Sequence, residues 1–241
     1  MKEILNIIII FLTATVFSQK DHIIHYKIQP LHGSIEEAED IKNSQLKYLY
    51  QDLDEALSSL KGTLIVNDKT SSFIIDSEYS KNPRALRLAK SFAGNDEFYY
   101  GIEDSLNIRK KNFLNEEFYI IDNIIPDWTI TNEFKMIDNY KCYKATTEKS
   151  VIIKEKVKIH TVTVWFCPEV PISFGPKEFR GLPGLIFELH DDKVSYNLDR
   201  IENKYKKVVF DLKKKNKFIT QEDFDKIVKV KREDFLDKTK Y

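Results

Sequence analysis

The stretch from Tyr140 to Cys167 reads YKCYKATTEKSVIIKEKVKIHTVTVWFC, and it decides the fold class. Apolar and polar residues alternate along much of both halves, and a period of two residues is typical of β-strands. An antiparallel hairpin about a turn at Lys154-Glu155 places Tyr143 opposite Phe166. The stretch therefore predicts two long antiparallel strands.

The same register brings the chain's two cysteines together, because it places Cys142 opposite Cys167. Directly opposed residues of an antiparallel ladder have Cα atoms about 4.5–5.5 Å apart, which is close to the range that a disulfide spans. We expect a disulfide here, worth about 3 kcal/mol of stability. The alternative is two separate buried thiols. A catalytic thiol is not expected, because neither cysteine has a recognisable histidine partner in the sequence.

Residues 168–184 follow the hairpin and read PEVPISFGPKEFRGLPG, with four of the chain's 7 prolines and three of its 7 glycines. Proline fixes φ and lacks an N–H donor, whereas glycine accepts positive φ or lets another chain pass close by. We expect a stiff, irregular crossing between two strands, and we call this segment the clasp. Its apolar side chains are expected to close one end of the core. The alternative is a partner-binding surface formed by Trp165, Phe174 and Phe179.

Shorter alternating segments lie on both sides of this centre, and most of the chain after Gly62 has this pattern. Residues 81–95 are mixed in character and fit either a helix or a loop. The predicted strands are 25–30, 63–66, 72–75, 98–102, 108–112, 117–121, 129–137, 140–153, 156–167, 185–189, 194–198 and 208–212.

Two helices complete the prediction. Ser34 and Glu37 form a capping box before a run of apolar residues at helical spacing, which continues to Leu60 and is expected to stop at Gly62. Thr220 with Asp223 caps a final helix in the same way. The fold class is therefore α+β, mainly antiparallel β: one curved or partly closed antiparallel sheet with an N-terminal-side helix and a C-terminal helix.

Composition excludes several functional classes. The 38 basic and 38 acidic residues cancel, so the basic surface of a nucleic-acid-binding protein is missing. The common catalytic and nucleotide-binding motifs are absent, and we nominate no catalytic residue and no cofactor. His22 and His25 would point to opposite faces of a strand, so we expect no metal site. The pair Asp191-Asp192 is interpreted as a turn rather than as an acid pair.

The N-terminus has the pattern of a secretory signal peptide. Met1-Lys2 precede a largely apolar stretch from Ile4 to Phe17, which is too short to cross a bilayer as a helix. Small residues at Val16 and Ser18 place the expected cleavage after residue 18. We expect residues 1–18 to be the signal peptide and residues 19–241 to form a single β-rich domain, with no transmembrane span in the mature chain.

A family resemblance rests on the hexapeptide at the end of the clasp, Gly181, Leu182, Pro183, Gly184, Leu185 and Ile186. Four further segments agree, namely 128–131, 141–147, 164–166 and 171–176. On these motifs the chain resembles the GLPGLI family of exported Bacteroidota proteins. The resemblance implies an exported β-rich domain over nearly the whole chain. It implies no activity, because the family has none established.

These observations together lead to a functional expectation. We expect an exported, non-enzymatic binding or accessory protein of the cell envelope, located in the periplasm or envelope or secreted. Its expected partner is an envelope protein or an apolar small molecule, since a long helix with a curved sheet is similar to periplasmic lipoprotein carriers that bind acyl chains. The alternatives are an exported hydrolase of unrecognised type and a structural component of an outer-membrane complex.

Overall fold

Twelve strands form one sheet in the computed structural model, which describes residues 21–31, 52–67, 70–77, 82–101, 105–121, 125–153, 156–203 and 218–238. The strands are β1 (His22–Pro30), β2 (Leu60–Val66), β3 (Thr70–Ser77), β4 (Glu97–Gly101), β5 (Leu106–Phe113), β6 (Glu116–Ile121), β7 (Thr129–Ile137), β8 (Tyr140–Ile153), β9 (Lys156–Cys167), β10 (Leu185–Asp191), β11 (Val194–Asn203) and β12 (Phe218–Thr220). The helices are α1 (52–58), α2 (Pro83–Ala93) and α3 (Gln221–Lys238).

The sheet is antiparallel apart from one pair, and its order is β12-β6-β5-β4-β3-β2-β1-β11-β10-β9-β8-β7. Only β12 runs parallel to its neighbour, β6. The sheet is open, because β12 and β7 each pair on one side. The predicted α+β class with a mainly antiparallel sheet is confirmed.

The hairpin that decides the fold forms as the sequence predicts. β7, β8 and β9 have the predicted bounds, and Tyr143 pairs with Phe166 while Lys144 pairs with Trp165. One face of β9 carries the buried Val162 and Val164, and we call the face of the sheet on that side the core face. Period-two alternation therefore determined both the strands and their register.

The predicted disulfide is wrong for this structure, in which Cys142 and Cys167 are free, buried thiols. The last pair of the β8–β9 ladder is Tyr143 with Phe166, so the ladder stops one pair short of the two cysteines. Cys142 pairs instead with β7 and Cys167 with β10, so other strands hold the two backbones. Burial, together with the neighbouring Cys167, raises the pKa of the Cys142 thiol to about 12.

The end of the first predicted helix also differs. Helical residues 52–58 are separated from β2 by the single turn residue Ser59, so Leu60 and Gly62 are strand residues. Leu60 is fully buried in the strand, and its helical spacing also predicts a buried position. Its apolar character therefore did not distinguish the end of a helix from the start of a strand. A Cβ at Gly62 would lie 2.8 Å from the Phe73 ring, so this glycine is explained by close packing and not by a helix stop.

Several predictions fall on residues that the structure does not describe. These are the signal peptide at 1–18, the capping box at Ser34 and Glu37, and the strand at 208–212. Elsewhere, residues 83–93 of the undecided segment form α2, whose first turn is capped by the Asn82 side chain. The cap of α3 is confirmed, since the Asp223 backbone N–H donates to Thr220 Oγ1.

The main core lies between the sheet, α1, α2 and the clasp. Alanines of α2 and leucines of α1 are buried in it, and Phe179 and Leu182 enter it from the clasp. The Tyr26 hydroxyl donates to the Ile186 carbonyl over 2.8 Å, which joins β1 to the end of the hexapeptide. A smaller core of Ile120, Ile219 and Phe224 lies under α3.

Gly184 gives the clasp its closest backbone contact. A Cβ built at this position would lie 2.1 Å from the Cys167 carbonyl oxygen, a backbone atom that cannot rotate away. The clasp therefore returns to the sheet directly against the residue at which it left β9. Only glycine fits that approach.

Replacing Gly184→Ala should destabilise the protein by about 3 kcal/mol, because the backbone at Cys167 must move to admit the methyl group. The matched control is Gly101→Ala, since a Cβ at Gly101 meets nothing within 4 Å. We expect the control to lie within about 0.5 kcal/mol of wild type. Urea unfolding followed by circular dichroism measures both. Equal stabilities would show that the close approach is not a constraint.

The free thiols predict a second result. In native protein, neither cysteine should react with Ellman's reagent, because both are buried and the pKa of Cys142 lies far above neutral pH. In guanidinium chloride without reductant, two thiols per chain should titrate, and one in each of the variants Cys142→Ala and Cys167→Ala. A count of zero in denaturant would show that the disulfide forms after all.

Candidate functional site

The clasp carries two charged residues onto the core face of the sheet. Lys177 has a positive φ of 60°, a conformation that a non-glycine residue adopts only when its surroundings hold it there. Its Nζ lies 2.5 Å from Asp191 Oδ2, and both side chains are almost fully buried, at 8% and 6% exposure. Lys177 is followed directly by Glu178. The turn of the clasp is thus fastened to the last residue of β10.

Asp191 is the centre of a buried ion network. Lys149 Nζ lies 3.1 Å from Asp191 Oδ2, and His160 Nε2 lies 2.8 Å from Asp191 Oδ1. Lys149 and His160 face each other across the β8–β9 ladder. Lys149 also pairs with Glu178 Oε1 over 2.7 Å. Three strands and the clasp therefore contribute to one cluster of alternating charges.

The opposite charges of the cluster stabilise one another in their ionised forms. Burial alone would raise the pKa of Asp191, but Lys177 and Lys149 outweigh it and hold that pKa well below its usual value. Burial likewise opposes ionisation of Glu178, yet Lys149 and Lys177 lower its pKa. Burial would lower the pKa of Lys177, but Asp191 and Glu178 raise it. These three groups are therefore charged at neutral pH and are poor proton donors or acceptors.

An open groove of about 520 Å³ borders this network. Its volume lies in the range of small-ligand sites. Lys149, Glu178 and Phe179 form its inner end. Its lining residues are Arg109, Pro126, Thr147, Glu148, Lys149, Ser150, Val151, Glu178, Phe179, Gln221 and Asp225.

Three buried polar atoms of the region have no hydrogen-bond partner among the described residues: Glu178 Oε2, His160 Nδ1 and Arg180 Nη1. Arg180 is nevertheless held, because its guanidinium carbon lies 4.3 Å from the centre of the Tyr100 ring. Glu178 belongs both to the ion network and to the wall of the groove. Its unpaired oxygen is thus a buried acceptor on a residue of the groove wall.

The aromatic residues proposed as a partner surface do not form one patch. Phe179 is buried in the core beside Trp128. Phe174 is partly buried and packs against Tyr100. Trp165 lies on the other face of the sheet, where Lys135 Nζ is 4.5 Å from its ring centre. The placement of Phe179 fits the expectation that the clasp closes the core.

The hexapeptide 181–186 is structural in this arrangement. Gly181 has a positive φ of 91°, and its N–H donates to the Ser173 carbonyl over 2.9 Å. Leu182, Leu185 and Ile186 are buried. The motif therefore sets the path of the clasp and thereby the positions of Lys177 and Glu178.

Sequence reasoning missed the network. Asp192 is a turn residue as predicted, with a φ of 56°, but Asp191 is buried on the core face. One signal was present: Asp191 is two residues from Leu189, so strand alternation places both side chains on the buried face. The predicted register also opposed Lys149 and His160, although their contact with Asp191 depends on the pairing of β10.

The described residues include no group of three or more His, Cys, Asp or Glu side chains that could hold a metal ion. None of the helices in the described ranges is long and apolar enough to cross a membrane.

Replacing Asp191→Asn should cost about 3–5 kcal/mol at pH 7, because it leaves buried lysine charge without its partner. Since the pKa of Asp191 is lowered on folding, its contribution is present above about pH 4 and is lost as the pH falls further. The difference from wild type should therefore narrow from pH 4 to pH 2. Denaturant unfolding at several pH values measures it.

The control for this prediction is the adjacent Asp192→Asn. The Asp192 side chain is 45% exposed, and its carboxylate lies 3.5 Å from Lys158 Nζ, so the expected loss is below about 0.5 kcal/mol. Equal losses in the two variants, or a difference that does not depend on pH, would contradict the role assigned to Asp191.

A match to a known protein family lies in the same region. Residues 148–188 match a family described as "Protein of unknown function (Porph_ging)", and this segment contains the clasp, the hexapeptide and much of the groove lining. No curated protein matches the chain.

Among solved structures, the chain is similar to PNGF-II in its C2 and P21 crystal forms, with TM-scores of 0.52 and 0.50 and sequence identities of 12% and 13%. The similarity covers 87% of this chain and 32% or 33% of PNGF-II. The chain thus spans about one third of the length of those structures, and at this identity the likeness is one of fold alone.

Proposed function

We propose that this chain is an exported, non-enzymatic binding protein of the cell envelope, and that the groove beside Glu178 is its binding site. The observation that carries the proposal is the groove itself: about 520 Å³, bordered by the partly buried carboxylate of Glu178, whose Oε2 atom is buried and unpaired. The signal-like N-terminus and the GLPGLI resemblance support the exported location and the class of protein. The family match over 148–188 supports the choice of site, because that segment supplies most of the groove lining.

The chemistry of the lining favours a polar partner, and so an envelope protein over an apolar small molecule. Six of the eleven lining residues carry charged or amide side chains, and the main core is filled by its own side chains. An acyl chain would leave Glu178 Oε2 without a donor, which is costly for a buried acceptor. A protein segment can supply such donors from its backbone and side chains.

A hydrolase is the second candidate, because Asp191, Glu178 and His160 come together from distant parts of the chain. Both carboxylates have lowered pKa values, however, so neither holds a proton to donate at neutral pH. The only unpaired atom of the His160 ring, Nδ1, is buried. This arrangement suits a charged scaffold better than acid–base catalysis.

An affinity pull-down from envelope fractions, with the tagged mature chain as bait, tests the proposal. Ser150 is exposed and lines the groove, so Ser150→Trp should fill the groove without disturbing the core. The control is Thr161→Trp, at an exposed position of β9 that does not line the groove. Quantitative mass spectrometry should recover the same partner with wild type and control, and about tenfold less with Ser150→Trp.

Thermal melts should first show that all three proteins are folded. A partner recovered equally by all three baits would place binding elsewhere on the molecule. Nothing enriched over a mock sample would remove the proposed function.

A further inference from the structure

Strand β8 extends well beyond its neighbour at the edge of the sheet. Pairing between β7 and β8 ends at Thr129 and Thr146, whereas pairing between β8 and β9 continues to Ile153 and Lys156. Among the described residues, positions 147–153 of β8 therefore pair with β9 on one side and with no strand on the other.

This uncovered edge lies in the groove. Five consecutive residues of β8, 147–151, line it. Consecutive residues point to opposite faces of a strand, so a cavity that meets all five borders the strand along its edge. At about 3.4 Å per residue, this edge is roughly 17 Å long. A short extended segment has the right shape to lie beside it.

The direction of the main-chain groups follows from the β7 side. In an antiparallel strand, successive residues turn their N–H and C=O groups to alternate neighbours. The Lys144 carbonyl accepts a hydrogen bond from Thr131 Oγ1 of β7, so even-numbered residues of β8 face that side. Glu148 and Ser150 therefore present their N–H and C=O groups to the groove.

The charges of the groove indicate the sign of its occupant. Glu148, Glu178 and Asp225 contribute three carboxylates, and Glu178 Oε2 has no donor. Both cations of the lining lie in ion pairs: Lys149 pairs with Asp191 and Glu178, and Arg109 pairs with Asp96, although Arg109 Nε has no hydrogen-bond partner among the described residues. The lining thus carries three carboxylates against two cations, and this balance favours a segment with lysine or arginine side chains.

We infer that the groove captures an extended, basic peptide segment of a partner protein, which adds as a strand to the free edge of β8. Main-chain hydrogen bonds to Glu148 and Ser150 hold the segment, and a basic side chain reaches Glu178. This inference rests on the proposed function and adds to it the conformation and charge of the partner. A second copy of this chain is the competing occupant.

Fluorescence anisotropy with labelled hexapeptides tests the inference directly. The probe TKVKVT alternates basic and β-branched residues, and it should bind the mature chain with a Kd below about 1 mM. The same peptide N-methylated at every backbone nitrogen from its second to its sixth residue lacks strand donors on both edges and should bind at least about tenfold more weakly. The acidic analogue TEVEVT should show a comparable loss.

Variants of the protein test the same contacts from the other side. Ser150→Pro removes an N–H that faces the groove and leaves the β9 ladder intact, so it should weaken TKVKVT about tenfold. The control is Thr161→Ala, at an exposed position of β9 that does not line the groove, and it should bind as wild type does. Glu178→Gln and Glu148→Gln should each weaken TKVKVT and reduce the preference over TEVEVT. Having both variants keeps the test decisive if Glu178→Gln proves unstable.

The outcomes separate this inference from the proposed function. Equal binding of TKVKVT and its N-methylated form, or equal binding by Ser150→Pro, would overturn strand addition even if the pull-down yields a groove-dependent partner. Failure of TKVKVT to bind, with a concentration-dependent dimer that Ser150→Pro abolishes, would assign the edge to a second copy. Failure of TKVKVT without dimerisation would overturn the inference as well.

Discussion

The buried contact between Lys177 and Asp191 is the constraint on which the functional region depends. A charge removed from water must be compensated, and here each member of the network is compensated by residues from a different element. The clasp can therefore not shift without leaving Asp191 or Lys149 underpaired. Because Phe179 and Glu178 follow Lys177 directly, the same contact sets both the closure of the core and the end of the groove. The ion pair between Lys177 and Asp191 thus contributes both to stability and to the geometry of the groove.

The backbone of the clasp makes this ion pair feasible. Ordering an irregular crossing costs conformational entropy, and four prolines reduce that cost by restricting the unfolded chain. The Cys167 backbone leaves no room for a side chain at Gly184, so the path of the clasp has a fixed return point. Between these restraints, the positive φ of Lys177 is a local strain that the buried ion pair offsets. Backbone stiffness and buried charge act on the same turn.

Features of the fold that follow from a repeating pattern of apolar residues could be predicted from the sequence. Features that depend on single contacts between distant residues could not. The β8–β9 hairpin and its register follow from the alternation of apolar and polar residues, which can be read from these two strands alone. The end of α1 was mispredicted because Leu60 is buried in a helix stripe and in a strand alike. The disulfide was mispredicted because β7 and β10, not the hairpin alone, hold the two cysteine backbones. Asp191 was missed because a buried aspartate and a turn aspartate look the same until Lys149 and Lys177 are brought to it from 42 and 14 residues away.

The edges of β7 and β8 differ in how they are protected, and this difference supports recognition of a partner segment at β8. An unpaired edge invites association, which proteins prevent with bulges and charges. β7 has both: its register shifts between Ile130 and Phe134, and Glu133 pairs with Lys144 beside it. The part of β8 that pairs with β9 alone among the described strands has no bulge in that ladder. It lies instead in a groove walled by Arg109, Gln221 and Asp225, where a broad sheet edge would meet side chains before it met the strand. The bulge and charges of β7 thus protect the outermost edge from non-specific strand pairing. The edge of β8 is recessed in the groove, where it suits a single extended segment.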